Sequence, residues 1–511
     1  MPALTRVSVS DWLLGFVLFA GMMILLTLTE FFHRRYPQRA ESGRKFIHIA
    51  TGCAVLPALF LFTSGLPLFT ISVVFAIANF WSIQRGKLKS IHAVSRPSYG
   101  TFYYPLSFAV LLLLFWKRDV MILSIAFALM AFGDAAAGLV AQQFPHRKIL
   151  LLPWDKKSLP GCAAMFVTSA LITGLGLLVF HQSHALSFVV GCEVAMAIGL
   201  LATAAETLSY RGSDNLTVPL LSALGLVVVL NPETQQQFLL GEMLAVLITV
   251  VAYKIKSLDL SGALAAFLIG TIIFGIGGWP FAIPLLVFFI GSSLLSHLPQ
   301  RAGQAAKEII AKSNRRDAAQ VFANGLPQAL VVIASLFLKK EFAFLLYLGG
   351  IAAATADTWA TEIGLLFGKQ PRSILTGKMV TPGTSGGITL AGVLGAILGA
   401  AIIVLVGWWS FSLFAAGEIS QRKLIGAAIA GVLANFIDSL LGATVQRRNQ
   451  CAVCQKITER NEHCDVLTQH FSGWRWLDND IVNIICGVSG ILLAMLATFL
   501  WGTFLLQPAI R

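Results

Sequence analysis

Charge is what this chain of 511 residues has least of. Only 12% of its residues are Asp, Glu, Lys or Arg, against about 25% in an ordinary soluble domain. That scarcity excludes a disordered chain, which needs charge to stay solvated, and an ordinary soluble enzyme. Seven scattered cysteines are too few for a secreted disulfide framework, and Cys53, Cys162, Cys192 and Cys486 fall in apolar stretches as small hydrophobes. Acids are scarcer than bases, 24 against 37, giving a net charge of +13. On a soluble protein that surplus would suggest nucleic acid. Here the basic residues crowd short loops between apolar runs, where the positive-inside bias accounts for them, so no nucleic-acid partner is expected. No small-residue cleavage site follows the first apolar run, Trp12 to Leu28, which therefore reads as a retained helix.

What the chain has in abundance is apolar length, with 57% hydrophobic residues and a mean hydropathy of +0.78. A helix needs about 20 apolar residues to cross a bilayer. Such runs recur near 11–30, 45–64, 66–83, 102–116, 120–143, 161–181, 187–208, 217–230, 238–253, 260–278, 281–298, 322–338, 342–367, 386–409, 424–445 and 481–506. The expected fold is an all-α polytopic membrane protein of about 16 transmembrane helices. Basic residues mark alternate loops. They are Arg34, Arg35, Arg39, Arg44 and Lys45 after the first helix, Arg85, Lys87, Lys89 and Arg96 after the third, and Arg147, Lys148, Lys156 and Lys157 after the fifth. Loops 301–316, 369–378 and 447–475 continue the series, while 63–67, 181–187 and 231–237 carry no Lys or Arg. Lys117-Arg118, Lys339-Lys340 and Arg422-Lys423 run against the pattern in short loops, and the overall bias assigns the basic loops to the cytoplasm and both termini to the outside.

Polar residues inside the apolar runs repeat in order. Asp134 lies in the fifth helix and Asp357 in the thirteenth; Pro160-Gly161 opens the sixth and Pro382-Gly383 the fourteenth. Glu206 ends the seventh and Asp438 the fifteenth; Asp214-Asn215 precedes the eighth, while Asp480 and Asn483 open the sixteenth. The offsets are 223, 222, 232 and 266 residues. This pattern predicts two parallel eight-helix units, 1–235 and 236–511, because an even number of helices preserves orientation.

An acid in a membrane helix costs about 2.5–3.5 kcal/mol and needs a reason to be there. Asp134, within Gly133-Asp134-Ala-Ala-Ala137-Gly138, is a candidate ligand for Mg²⁺ bridging nucleotide phosphates. Lys157, Ser158 and Gly161 would cradle phosphate at a helix N-terminus. In the second half, Asp357 and Glu362 are the candidate Mg²⁺ ligands, with Lys378, Thr384, Ser385 and Gly386 as the phosphate-binding run. That run is not a Walker motif, since the G-x-x-x-x-G-K-[ST] order is absent. Asp438 adds a further carboxylate. Helix packing against a lysine is the plain structural alternative for any one of these acids.

The first half resembles the phytol kinase and dolichol kinase group, relatives of the membrane cytidylyltransferases that make CDP-diacylglycerol. The resemblance rests on Arg44-Lys45-Phe-Ile-His48, Gly100-Thr101 with Tyr104-Pro105, Gly133-Asp134, Lys157-Ser158-x-x-Gly161, Glu206 and Asp214-Asn215-Leu-Thr-Val-Pro219, across about 40–230. Ala141 and Pro145 depart from usual glycines, and Cys162 from a small hydroxyl residue. The second half, about 250–490, resembles phytyl-phosphate kinase. It does so through Lys256-Ser-Leu-Asp259-x-Ser261-Gly262, Arg316 to Gly325, Ala353 to Gly364, Pro371 to Gly387, Asp438 to Thr444, and Trp476 to Asp480 with Asn483. His297 stands where that family would have a lysine. The pair of resemblances implies a bifunctional CTP-dependent kinase. It would turn a long isoprenoid alcohol dissolved in membrane lipid into its monophosphate, and that into the diphosphate. Asp134, Glu206, Asp357 and Asp438 are then the candidate catalytic acids. Lys45, His48, Asp214, Asn215, Asp480 and Asn483 join the nucleotide-binding set.

Asp134, Glu206 or His48 could orient or deprotonate the hydroxyl. His48 could equally cap a helix or contact phosphate. Cys451-Ala-Val-Cys454 with His463-Cys464 fits a small structural Zn²⁺ knuckle, with His470 as an alternative fourth ligand and reduced thiols without metal as the other reading. Two other functions compete with the kinase: a transporter or flippase built from two repeats, and a CDP-lipid-forming cytidylyltransferase.

Overall fold

The computed structural model describes residues 7–36, 40–85, 98–144, 149–152, 154, 156–181, 184, 186–298, 315–367, 370–415 and 417–501. Arg39, Lys87, Lys89, Arg96, Pro145, Arg147, Lys148 and most of the 301–316 loop lie outside the described residues. The chain forms sixteen helices among the described residues, and no barrel. They are α1 (Val9–Arg35), α2 (Ala40–Leu61), α3 (Leu66–Gln84), α4 (Gly100–Phe115), α5 (Val120–Gln143), α6 (Leu159–Val179), α7 (Phe188–Thr207) and α8 (Asp214–Val229). They continue as α9 (Pro232–Lys254), α10 (Leu260–Gly277), α11 (Trp279–His297), α12 (Ala318–Ala334), α13 (Lys340–Phe367), α14 (Leu390–Phe414), α15 (Gln421–Thr444) and α16 (Asn479–Leu500).

Thirteen of these are long and apolar enough to cross a bilayer. The other three, α4, α8 and α12, are apolar but shorter; a 16-residue helix is about 24 Å long, less than the roughly 30 Å hydrocarbon core. Large apolar side chains such as Leu13, Phe16 and Val17 on α1 are exposed, as a lipid-facing surface requires. The chain is a multi-pass membrane protein.

Two compact units divide it, Met1–Leu239 and Leu240–Arg511. In the first, α5 is the most enclosed candidate span, with 83% of its apolar window buried; in the second it is α13, with 89%. These are the helices that carry Asp134 and Asp357. α13 packs against α14, α15 and α16, and small residues bring the backbones together, so that a Cβ on Gly490 would run into Gly349 of α13.

Short strands connect the helices. A hairpin of β1 (Ile149–Leu151) and β2 (Lys156–Ser158) precedes α6. A two-stranded pair, β3 (Arg372–Ser373) and β4 (Gly387–Ile388), precedes α14. Between α15 and α16, β5 (Arg448–Gln450) pairs with both β6 (Ile457–Thr458) and β9 (Gln469–Ser472), and β7 (Glu462–His463) forms a hairpin with β8 (Val466–Leu467).

Two expectations need correction. Pro382-Gly383 does not open α14. Gly383 and Gly386 take φ values of +88° and +75°, which turn the chain into β4, and the helix starts at Leu390 with the Thr389 side chain capping Gly392. Likewise α2 begins at Ala40 rather than near 45, so His48 stands well inside the helix and caps nothing.

Candidate active sites

In the first unit, the residues singled out from the sequence converge from five helices and a hairpin. Lys45 and His48 project from α2. The Lys45 ammonium donates to Asp134 Oδ1 at 2.6 Å and to its backbone carbonyl at 3.0 Å, and His48 Nδ1 lies 3.3 Å from Asp134 Oδ2. Asp134 follows directly on a π-helical turn, Leu129–Gly133, within α5. Such a turn re-aims the residues after it and is found mostly at functional positions. Gly138, one turn further, leaves the space that the Lys45 side chain occupies; a Cβ there would collide with Lys45 Cε.

Lys157, from β2, donates to Glu206 Oε1 at 2.6 Å, to the Glu206 carbonyl at 3.0 Å and to Ser209 Oγ at 3.1 Å. Burial works against its charge, but the Glu206 and Asp214 carboxylates prevail and hold the Lys157 ammonium above its ordinary range. Ser158 caps α6 by accepting from Gly161 N at 3.1 Å. Asp214 opens α8, and its Oδ1 accepts from both the backbone and the side-chain amide of Asn215 at 3.1 Å. Asn215 packs against Gly100, which brings the Gly100-Thr101 motif to the same corner.

Asp134, Glu206 and Asp214 are all buried, and one oxygen from each lies within 4.8 Å of the others. Oxygens on opposite sides of one Mg²⁺ stand about 4.2 Å apart, so this donor set fits a hard divalent cation. A buried cluster of three carboxylates otherwise needs its neighbouring cations, here Lys45 and Lys157, to persist at all. Beside it runs a cavity of about 100 Å³ with mostly apolar walls, including Leu18, Met22 and Phe127, and Arg44, His48 and Tyr104 also line it. The His48 and Tyr104 rings pack in a tilted arrangement, 44° between their planes, with centroids 4.6 Å apart.

The second unit holds a cavity of about 890 Å³, within the range of ligand pockets. Its polar wall includes Asp357, Glu362, Asp438, Thr384, Ser385, Gly386 and Asn483 from the sequence reading. Its apolar wall comes from α10, α11 and neighbours, including Ile269, Leu285 and Phe288. The carboxyls of Asp357 and Asp438 are close neighbours, and Glu362 has Arg316 as a charged neighbour. Asp438 thus joins Asp357 at close range, while Glu362 lines the same cavity. At 100° per residue, five positions carry Glu362 well round the helix from Asp357. Two carboxyls in contact repel unless a proton or a cation lies between them, so this pair also fits a divalent ion. Lys378 does not join the cavity wall; its side chain is exposed on the turn after β3.

Residues not anticipated from the sequence complete this site. Glu459, next after β6, accepts a hydrogen bond from Ser385 Oγ and one from Gln446 Nε2 at 2.9 Å. Burial pushes its carboxyl above the ordinary range, against the opposing pull of Ser385, Arg448 and Gln446. Asp480 stands close enough to Glu459 to add to that rise. Arg448 donates to the carbonyls of Gly442, Ala443 and Ser385 at 2.8, 3.2 and 3.4 Å, tying the C-terminus of α15 to the glycine-rich turn. Arg316 and Arg460 also reach the wall. Glu459 was legible as an acid in a basic loop, but no periodicity placed it near Ser385. Asp259 and Ser261 hold the strand-like segment before α12: Ser261 Oγ donates to Asp259 Oδ1 at 2.8 Å and accepts from Ala318 N at 3.0 Å.

The thiols of Cys451, Cys454 and Cys464 and the His463 ring also gather, in the loop between α15 and α16. His470 turns elsewhere, to the Gly473 carbonyl at 2.9 Å.

Residues 243–491 match the family model described as integral membrane protein DUF92. Protein PGR of Arabidopsis thaliana is 35% identical over 275 residues, which span 50% of this chain and 94% of that protein. The chain belongs to the DUF92 family. The Synechocystis sp. protein named phytol kinase is 33% identical over 208 residues, 40% of this chain and 86% of its own length. The chloroplastic protein VTE6 of Arabidopsis thaliana is 25% identical over 264 residues, 50% of this chain and 69% of that protein. No solved structure matches the chain significantly.

Proposed function

We propose that this chain is a bifunctional membrane lipid kinase. Its first unit would phosphorylate a prenyl alcohol of the phytol type, and its second would phosphorylate the resulting monophosphate, with CTP as donor and Mg²⁺ as the divalent ion. The observation that carries the reading is the pairing, in each unit, of an acid on the most enclosed helix with an adjoining cavity that has apolar walls. A relative named phytol kinase and the motif resemblances of both halves support it. The match of the family model to 243–491 leaves the first 242 residues to be read separately, in keeping with a fusion of two catalytic halves.

The two sites differ as the two reactions require. An alcohol must lose a proton to attack a phosphoryl group, and His48, oriented by Asp134 and lining the cavity, is suited to take it. A phosphate monoester is already ionised and needs no base. No histidine lines the second cavity among the described residues, while Arg316 and Arg460 do, and they can attract the anionic substrate. Mg²⁺ held by Asp134, Glu206 and Asp214, or by Asp357 and Asp438, would offset phosphate charge. Lys157 would hold Glu206 in place and present a cation to the nucleotide. The site residues lie where even-numbered helices begin and odd-numbered helices end, the end that the basic loops assign to the cytoplasm, where CTP is found.

The test is to assay the purified chain in lipid with Mg-CTP and phytol, farnesol or geranylgeraniol. Asp134→Asn is expected to abolish formation of monophosphate while leaving conversion of added monophosphate intact. Asp357→Asn is expected to let monophosphate accumulate. Absence of any phosphorylated product with CTP, ATP, GTP or UTP would refute the reading, and product retaining CMP would establish a cytidylyltransferase instead.

A further inference from the structure

The three cysteines and His463 of the loop between α15 and α16 have no part in the reaction proposed above, yet these four soft donors converge. Cys454 Sγ lies 3.4 Å and Cys464 Sγ 3.2 Å from His463 Nδ1, and all four donor atoms, with that of Cys451, lie within 4.8 Å of one another. Around one tetrahedral Zn²⁺ the spacing of S and N donors would be about 3.6 Å and of two sulfurs about 3.8 Å. Neighbouring residues in a chain rarely both face one ion. Here they do because Cys464 and Asp465 form the two-residue turn between β7 and β8, with φ of +53° and +59°. That hairpin turn normally takes Asn or Gly. Two non-glycine residues held there carry backbone strain, which a metal bond to Cys464 would offset.

We propose that Cys451, Cys454, His463 and Cys464 bind one Zn²⁺ as a structural ion that fixes the segment 455–462 against the second cavity. Cys451 follows β5 and Cys454 ends the turn after it. β6 then pairs back on β5 through Asn449 and Thr458, and the next residues are Glu459 and Arg460. Glu459 bonds Ser385 and Gln446, and the Arg460 carbonyl accepts from Asn449 Nδ2 at 3.1 Å and from Thr468 Oγ1 at 2.6 Å. Both wall residues of the cavity thus sit on a span tethered at each end by a pair of zinc ligands. The small strands alone bury too little to hold it.

The zinc content of the full-length chain, purified with its affinity tag removed, tests the site without reference to activity. About one zinc per chain is expected, lost from Cys454→Ser/Cys464→Ser and kept by Cys192→Ser, an exposed thiol in the first unit. Zinc that is absent from the native chain, or that persists in the double variant, overturns the site. Because that variant could misfold, the native chain is also treated with chelator and digested with trypsin. Cleavage at Lys456 or Arg460 that appears on chelation and disappears on adding Zn²⁺ is expected; cleavage indifferent to zinc overturns the fixing role. Asp357→Asn is expected to keep its zinc, so a failure of the kinase reading leaves this measurement standing.

Discussion

Gly138 shows how much of the first site depends on a side chain being absent. Lys45 must pass α5 to reach Asp134, and the passage exists because no Cβ occupies position 138. Gly138→Ala sets a methyl against the Lys45 stem. The ammonium then shifts from the Asp134 carboxylate, and a buried acid loses part of its compensation. We expect the alcohol-phosphorylating step to fall at least about tenfold, equivalent to about 1.4 kcal/mol of transition-state stabilisation. The conversion of added monophosphate should stay unchanged. Equal activity in both steps would show that the Lys45 and Asp134 contact is dispensable.

Among the elements, Arg448 is where the two classes of structure meet. It belongs to a three-residue strand, yet it binds the last carbonyls of a long helix and the carbonyl of Ser385. A hydrogen bond from a charged donor is worth about 1.5–3 kcal/mol, and a single guanidinium nitrogen, Nη2, serves all three carbonyls. Arg448→Ala should slow the second step about tenfold, so that monophosphate accumulates from alcohol. Arg448→Lys should recover part of it, and the first step should be unaffected. A parallel loss of both steps would point to general destabilisation. The same region marks the limit of what the sequence made legible. Helices such as α5, α10 and α13 follow from apolar length alone, since a bilayer admits little else. The acids within α5 and α13, Asp134 and Asp357, stood out because each carries an energetic cost that packing alone rarely repays. Strands of two to four residues have no period to read. The contact of Glu459 with Ser385, 74 positions apart in sequence, depends on that irregular loop, whereas Asp357 and Asp438 come together because α13 and α15 pack against each other. The π turn before Asp134 was equally invisible, because no composition distinguishes it from the α-helix around it.

At the scale of the whole molecule, each candidate site is built from residues of one unit only, Asp134 and its neighbours from Met1–Leu239, and the 890 Å³ cavity from Leu240–Arg511. Among the described residues neither constellation borrows a side chain from the other unit, so inactivating one leaves the other chemically complete. A monophosphate with a long apolar tail also partitions into lipid and can leave one chain for another. Vesicles containing equal amounts of Asp134→Asn and Asp357→Asn chains should therefore make diphosphate from alcohol and CTP, although neither variant does so alone. The diphosphate should appear after a lag during which monophosphate builds up in the lipid, and the lag should shorten as the amount of protein per vesicle rises. Loss of complementation, with each variant still active in its remaining step, would mean that the intermediate never leaves the chain that made it.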